Sequence, residues 1–201
     1  MSKEASRKYT DLNNTIYFFR MSTKNLVKYI IGITICILIR FIPMPLPNIE
    51  PIMATMMPFA KKYGKLAAFI FAFAAIVVLD FITGIVGIWT AITAITYGFV
   101  GVFAAQYLYK KKNKIHYYVG FAIVGTILYD IITGIGMGTL LFGQTLKITI
   151  LGQIPFTIYH LIGNVSFALF SAFLYKSIVD NPQFNTDQIY NTLKAKLGFG
   201  N

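Results

Sequence analysis

Residues 65–114 read KLAAFIFAFAAIVVLDFITGIVGIWTAITAITYGFVGVFAAQYLYKKKNK: two apolar runs separated by Gly84 and Gly87 and bounded by lysines at both ends. About 20 residues of helix, rising about 1.5 Å each, cover the roughly 30 Å hydrocarbon core of a bilayer, so each run is long enough to cross one. Their connection at the glycines must be very tight. Lysines at both outer ends put those ends on the same side, because Lys and Arg accumulate in short cytoplasmic loops.

The same sorting holds outward from this pair. Of the 18 basic residues, sixteen occupy alternate gaps between apolar runs: Lys3, Arg7, Lys8, Arg20, Lys24 and Lys28; Lys61, Lys62 and Lys65; Lys110, Lys111, Lys112 and Lys114; Lys176, Lys194 and Lys196. Only Arg40 and Lys147 fall on the other side. The runs cover residues 26–42, 49–60, 66–85, 89–108, 117–137 and 156–175. The pattern predicts an all-α membrane protein of six transmembrane helices with both termini in the cytoplasm. Residues 1–25 form a cytoplasmic segment, 26–176 the membrane domain, and 177–201 a cytoplasmic tail.

Composition supports this class. Of the 201 residues, 56% are hydrophobic and 12% charged, whereas soluble domains carry about a quarter charged residues. The net charge of +11 is dispersed over loops and forms no interleaved basic and aromatic surface, which argues against nucleic acid. No small-residue cleavage site follows the first run, so no signal peptide is expected. Cys36 is the sole cysteine, which excludes an internal disulfide.

The first run stops at Pro43-Met44-Pro45-Leu46-Pro47-Asn48, where three prolines cannot continue a helix. The next segment, 49–60, is too short to cross a full bilayer, so it is a short buried span or a half-helix. A glycine-bearing stretch, 138–152, is long enough to cap a cavity on the outer side. In the tail, Ile189, Leu193 and Leu197 recur at four-residue spacing after Thr186 or Asp187, the pattern of a short amphipathic helix on the inner leaflet or a partner.

One motif repeats. Residues 75–85 read AIVVLDFITGI and 125–135 read GTILYDIITGI, placing Asp80 and Asp130 at matching positions before Thr-Gly. Both carboxylates are expected in the outer third of the membrane, where burying an Asp costs on the order of 2.5–3.5 kcal/mol and demands a partner or a wet cavity. Each either contacts a ligand or braces neighbouring helices, with Thr-Gly ending the helix.

Other polar residues widen the choice. Arg40 and Glu50 flank the proline turn as an ion pair that clamps the turn or meets a ligand. Trp89 stands at the outer interface as a belt residue or a stacking surface. His160 and Asn164, four apart, share a helix face that binds a polar ligand or a neighbouring helix. No Gly-x-Ser-x-Gly elbow, His-Glu-x-x-His helix or phosphate loop is present, and His116 and His160 lie too far apart to share a metal. Neither an enzyme nor a cofactor is expected.

Taken together, Arg40-Phe41-Ile42-Pro43 through Pro47-Asn48-Ile49-Glu50-Pro51, Asp80 with Tyr97-Gly98, and Pro155-Phe156-Thr157 leading to Asn164 resemble the substrate-binding (S) component of an energy-coupling factor (ECF) transporter. The likeness covers about residues 26–176. It implies capture of a vitamin or related micronutrient from the outer side, and uptake powered by a transmembrane T component and two cytoplasmic ATPases. It also implies docking of the T component on small residues of the first helix; Gly32 and Cys36 hold those positions where the family often has alanines. The expected ligand contacts are Glu50, Asp80, Trp89, Tyr97, Asp130, His160 and Asn164, with Arg40 at the mouth, in a prokaryotic plasma membrane. The alternatives are an autonomous small-solute permease or channel and a membrane enzyme using Asp80 and Asp130.

Overall fold

The computed structural model describes residues 22–42, 50–182 and 184. The proline turn at 43–49, the first 21 residues and the proposed tail helix lie outside the described residues. Those described form only helices and turns: α1 (Thr23–Arg40), α2 (Ile52–Thr83), α3 (Ile88–Leu108), α4 (Ile115–Asp130), α5 (Met137–Leu140), α6 (Leu146–Ala168) and α7 (Ser171–Leu174). A π-helical turn, Ile131–Gly136, joins α4 to α5, and another, Tyr175–Val179, follows α7. Four helical runs are long and apolar enough to cross a membrane, namely Ile52–Thr83, Ile88–Leu108, Ile115–Leu140 and Leu146–Val179.

The first of these is not straight. Phe59 and Phe71 would lie about 18 Å apart along a continuous helix, yet their rings stack with centroids 5.2 Å apart. The reversal is at Gly64, whose φ of 84° and ψ of −167° suit glycine alone. Arg40 ties the residues just before this helix to its second half, with Nη2 3.2 Å from Glu50 Oε2 and Nη1 donating to the Ala75 carbonyl at 3.3 Å. The short segment before Gly64 is buried on nearly every side, with Ile52, Met53, Met56 and Met57 fully enclosed. Such an all-round apolar helix belongs at the centre of a bundle, where protein and not lipid surrounds it.

Around this central segment, Tyr29 of α1 packs edge-on against Phe59 and Phe71 and donates its hydroxyl to the Ala67 carbonyl at 2.5 Å. Gly101 of α3 lets the backbone approach Ala68; a Cβ there would sit 2.7 Å from the Ala68 carbonyl oxygen. Small residues permit such close packing, which drives helix association in lipid.

The lysine-bearing gaps converge at one end. Lys61 donates to the carbonyls of Leu108 and Lys111, Lys62 pairs with Asp180, Lys28 donates to the Asn181 carbonyl, and Asn113 donates to the Ala172 carbonyl. Arg40, Glu50 and the tight 84–87 connection lie at the other end. The alternation of charge along the sequence is therefore a separation of charge in space.

Two sequence expectations need correction. The stretch 138–152 is not a fifteen-residue cap: α5 continues through Leu140 and α6 begins at Leu146, leaving only residues 141–145 as a connection. Thr145 caps the new helix, its hydroxyl accepting from Ile148 N–H at 3.5 Å, and Pro155 is accommodated within it. Nor does Thr-Gly end both copies of the repeat. Gly84 adopts φ 72° and closes α2, whereas Gly134 stays within the π-helical turn, and a Cβ there would stand 1.9 Å from Gln153 Oε1. One glycine serves a turn; the other makes room for a side chain from α6.

Candidate functional site

The antiparallel pair α4 and α6 is joined by two polar rungs one turn apart. His160 Nδ1 and Asp130 Oδ1 are 2.8 Å apart, and Asn164 Nδ2 donates to Thr126 Oγ1 at 2.9 Å. Four-residue spacing on both helices, 126 to 130 and 160 to 164, sets the rungs in register. Below them Thr126 Oγ1 meets Met53 Sδ at 4.0 Å, tying the ladder to the central segment of α2. Gly125 allows that approach, since a Cβ there would lie 3.1 Å from the same sulfur.

At the upper rung, His160 faces two carboxylates. Its Nδ1 meets Asp130, and its Nε2 lies 3.5 Å from Glu50 Oε1, within ion-pair range but without a hydrogen bond. Glu50 in turn binds Arg40. Arg40, Glu50, His160 and Asp130 thus form one chain of alternating charge, balanced when the imidazole carries both ring protons. His160 and Asp130 are its buried end, where removing one partner strands a charge at a cost of about 3–5 kcal/mol.

Aromatic residues form one wall. Tyr129 sits edge-on to His160 with centroids 5.6 Å apart, and Tyr97 of α3 lies against Tyr129 at 4.5 Å. Tyr97 is fully enclosed, with its hydroxyl unpaired. Asp130 Oδ2, His160 Nε2 and Asn164 Oδ1 are likewise buried without a hydrogen-bond partner. Each buried polar atom left so costs about 1–3 kcal/mol, so these four mark where an added hydrogen-bonding group would stabilise the bundle most.

The structure therefore gathers Arg40, Glu50, Tyr97, Asp130, His160 and Asn164, and leaves Asp80 and Trp89 elsewhere. Asp80 Oδ2 accepts from Thr90 Oγ1 at 2.6 Å, and the same threonine oxygen accepts from Gly87 N–H at 3.1 Å. This carboxylate fixes the tight turn into α3. Trp89 is 43% exposed, donates its indole N–H to the Ile85 carbonyl at 3.0 Å and lies over Gly87. It covers the same turn.

Gly32 and Cys36 are not on the outer face of α1. A Cβ at Gly32 would stand 2.4 Å from the Phe59 ring, and Cys36 is fully buried, while Leu26, Ile30 and Leu38 form the exposed stripe. The small residues seat α1 on the central segment. Sequence reasoning also missed Thr126 and Tyr129. Thr126 lies one turn before Asp130 and so shares its face, a signal available from spacing; Tyr129 is placed only by the packing of α3 on α4.

Among the described residues no group of three or more His, Cys, Asp or Glu could hold a metal ion. No protein-family model, no curated protein and no solved structure matches the chain.

Proposed function

We propose that the chain is the membrane-embedded substrate-binding subunit of an ECF-type importer. In this reading it captures a vitamin or related micronutrient from the outer side, and a separate T component and two ATPases drive uptake across a prokaryotic plasma membrane. The single observation that carries the reading is that the buried Tyr97 hydroxyl, Asp130 Oδ2, His160 Nε2 and Asn164 Oδ1, on neighbouring helices, all lack a hydrogen-bond partner. The reading takes six membrane segments with both termini inside, counting α1 and the two halves of α2 on either side of Gly64; what supports it is that four helical runs are long and apolar enough to cross a membrane.

The free oxygens of Asp130 and Asn164 accept hydrogen bonds, so the guest presents N–H or O–H groups toward them, with a flat portion against Tyr97 and Tyr129. Binding and release need no covalent step from the protein. Mass spectrometry of the detergent-extracted full chain tests the reading first, followed by titration of the molecule identified and uptake in cells with and without the two ATPases. The expected result is a retained small molecule whose uptake requires both ATPases. Uptake in their absence would make the chain an autonomous permease, conversion of the molecule by the purified chain would make it an enzyme, and failure to retain or bind any small molecule would remove the reading.

A further inference from the structure

The basic end of the bundle carries a groove of its own, between the start of α4 and the final helical run. Lys114, His116 and Lys176 line its polar side, and Ile115, Val119 and Phe173 its apolar side. Its two walls are held together. Asn113 Nδ2 donates to the Ala172 carbonyl at 2.9 Å, and the buried Tyr118 fixes Asn113 by donating to its Oδ1 at 2.8 Å.

Among the described residues, the cations of this groove meet no side-chain partner, whereas several lysines near them are committed. Lys61 is held by two backbone carbonyls, Lys62 by Asp180, Lys28 by the Asn181 carbonyl, and Lys111 lies over the Tyr107 and Tyr117 rings at 5.5 and 5.2 Å. Among the described residues Lys114 and Lys176 face no carboxylate, and Asp180, the acid nearest to Lys176 along the chain, is paired with Lys62. Depth adds a second constraint. Ile115 opens one membrane-compatible run and Phe173 lies shortly before the end of another, and the two are 49% and 66% exposed. Lys114 precedes the first run and Lys176 lies near the end of the second, so the cations stand at the run ends beside exposed apolar side chains.

We propose that this groove binds an anionic phospholipid of the leaflet bordering the basic end. Lys114 and Lys176 hold the headgroup phosphate, and the proximal acyl chain lies on Ile115, Val119 and Phe173. Basic pockets between membrane helices recognise lipid headgroups by this combination of charge and depth. A water-soluble anion would use the lysines and leave the apolar wall bare.

Native mass spectrometry of the full-length protein, delipidated and offered equal amounts of phosphatidylglycerol and phosphatidylcholine, tests the assignment. Wild type should retain phosphatidylglycerol in preference. A lysine near a membrane surface contributes roughly fivefold to such binding, so Lys114→Gln/Lys176→Gln should lower phosphatidylglycerol retention about thirtyfold. Lys110→Gln/Lys112→Gln, the same loss of charge outside the groove, should lower it less than threefold, or about half of one lysine's contribution. Equal losses in the two pairs would mean diffuse attraction and overturn the proposal, as would unchanged retention in the groove variant. Inorganic phosphate at millimolar concentration should not displace the lipid; displacement would make the groove a free-anion site.

Discussion

Replacing Asp130 by Asn should weaken ligand binding, while the same change at Asp80 should not, although the two residues occupy matching positions in a repeated motif. At Asp130 one carboxylate oxygen holds His160 and the other is buried without a partner. Asn can still accept from the imidazole through its carbonyl oxygen, but it turns the free acceptor into an N–H₂ donor and removes its charge. A charge-assisted hydrogen bond to a ligand is thereby lost, about 1.5–3 kcal/mol, which is roughly tenfold to 150-fold in Kd. At Asp80 both the Thr90 contact and the turn into α3 are internal to the protein. There Asn retains a neutral hydrogen bond, so affinity stays within twofold and the loss, about 0.5–1.5 kcal/mol, appears in stability. Isothermal titration with the co-purified molecule, alongside thermal melting in the same detergent, separates the two effects. Equal loss of affinity at both sites, or unchanged affinity at Asp130 with a lowered Tm, would refute the assignment of Asp130 to the ligand and Asp80 to the turn.

Single cysteines at Lys62 and Lys112 in a Cys36→Ser background should label only from the cytoplasm and one at Gln144 only from outside; outside labelling at position 112 would end the six-segment topology. Gly32→Leu should lower Tm and folded yield, because even a Cβ at Gly32 meets the Phe59 ring at 2.4 Å, with a cost of about 1–3 kcal/mol for overpacking. A stably folded Gly32→Leu protein that fails only to bind a T component would return the partner surface to this side of α1.

The chain's sequence alone determines that it is helical and built to lie in a membrane, and which gaps share a side. Those properties depend on run length, apolar content and lysine placement, and each is read from consecutive residues. The central segment of α2 was legible as too short to cross a full bilayer, though not as the buried centre of the bundle. That place depends on Gly64 reversing the chain so that Phe59 stacks on Phe71. Helix ends near glycine and proline are not legible from sequence for a related reason. A glycine signals either a left-handed turn, as at Gly84, or a close approach, as at Gly134, and only the neighbour across the helix pair distinguishes them. The two carboxylates of the repeat looked alike because their flanking residues are alike. Tertiary structure alone put Thr90 beside one and His160 beside the other, since what a buried charge does is set by the group that packing brings within about 3 Å and not by the residues next to it in the chain.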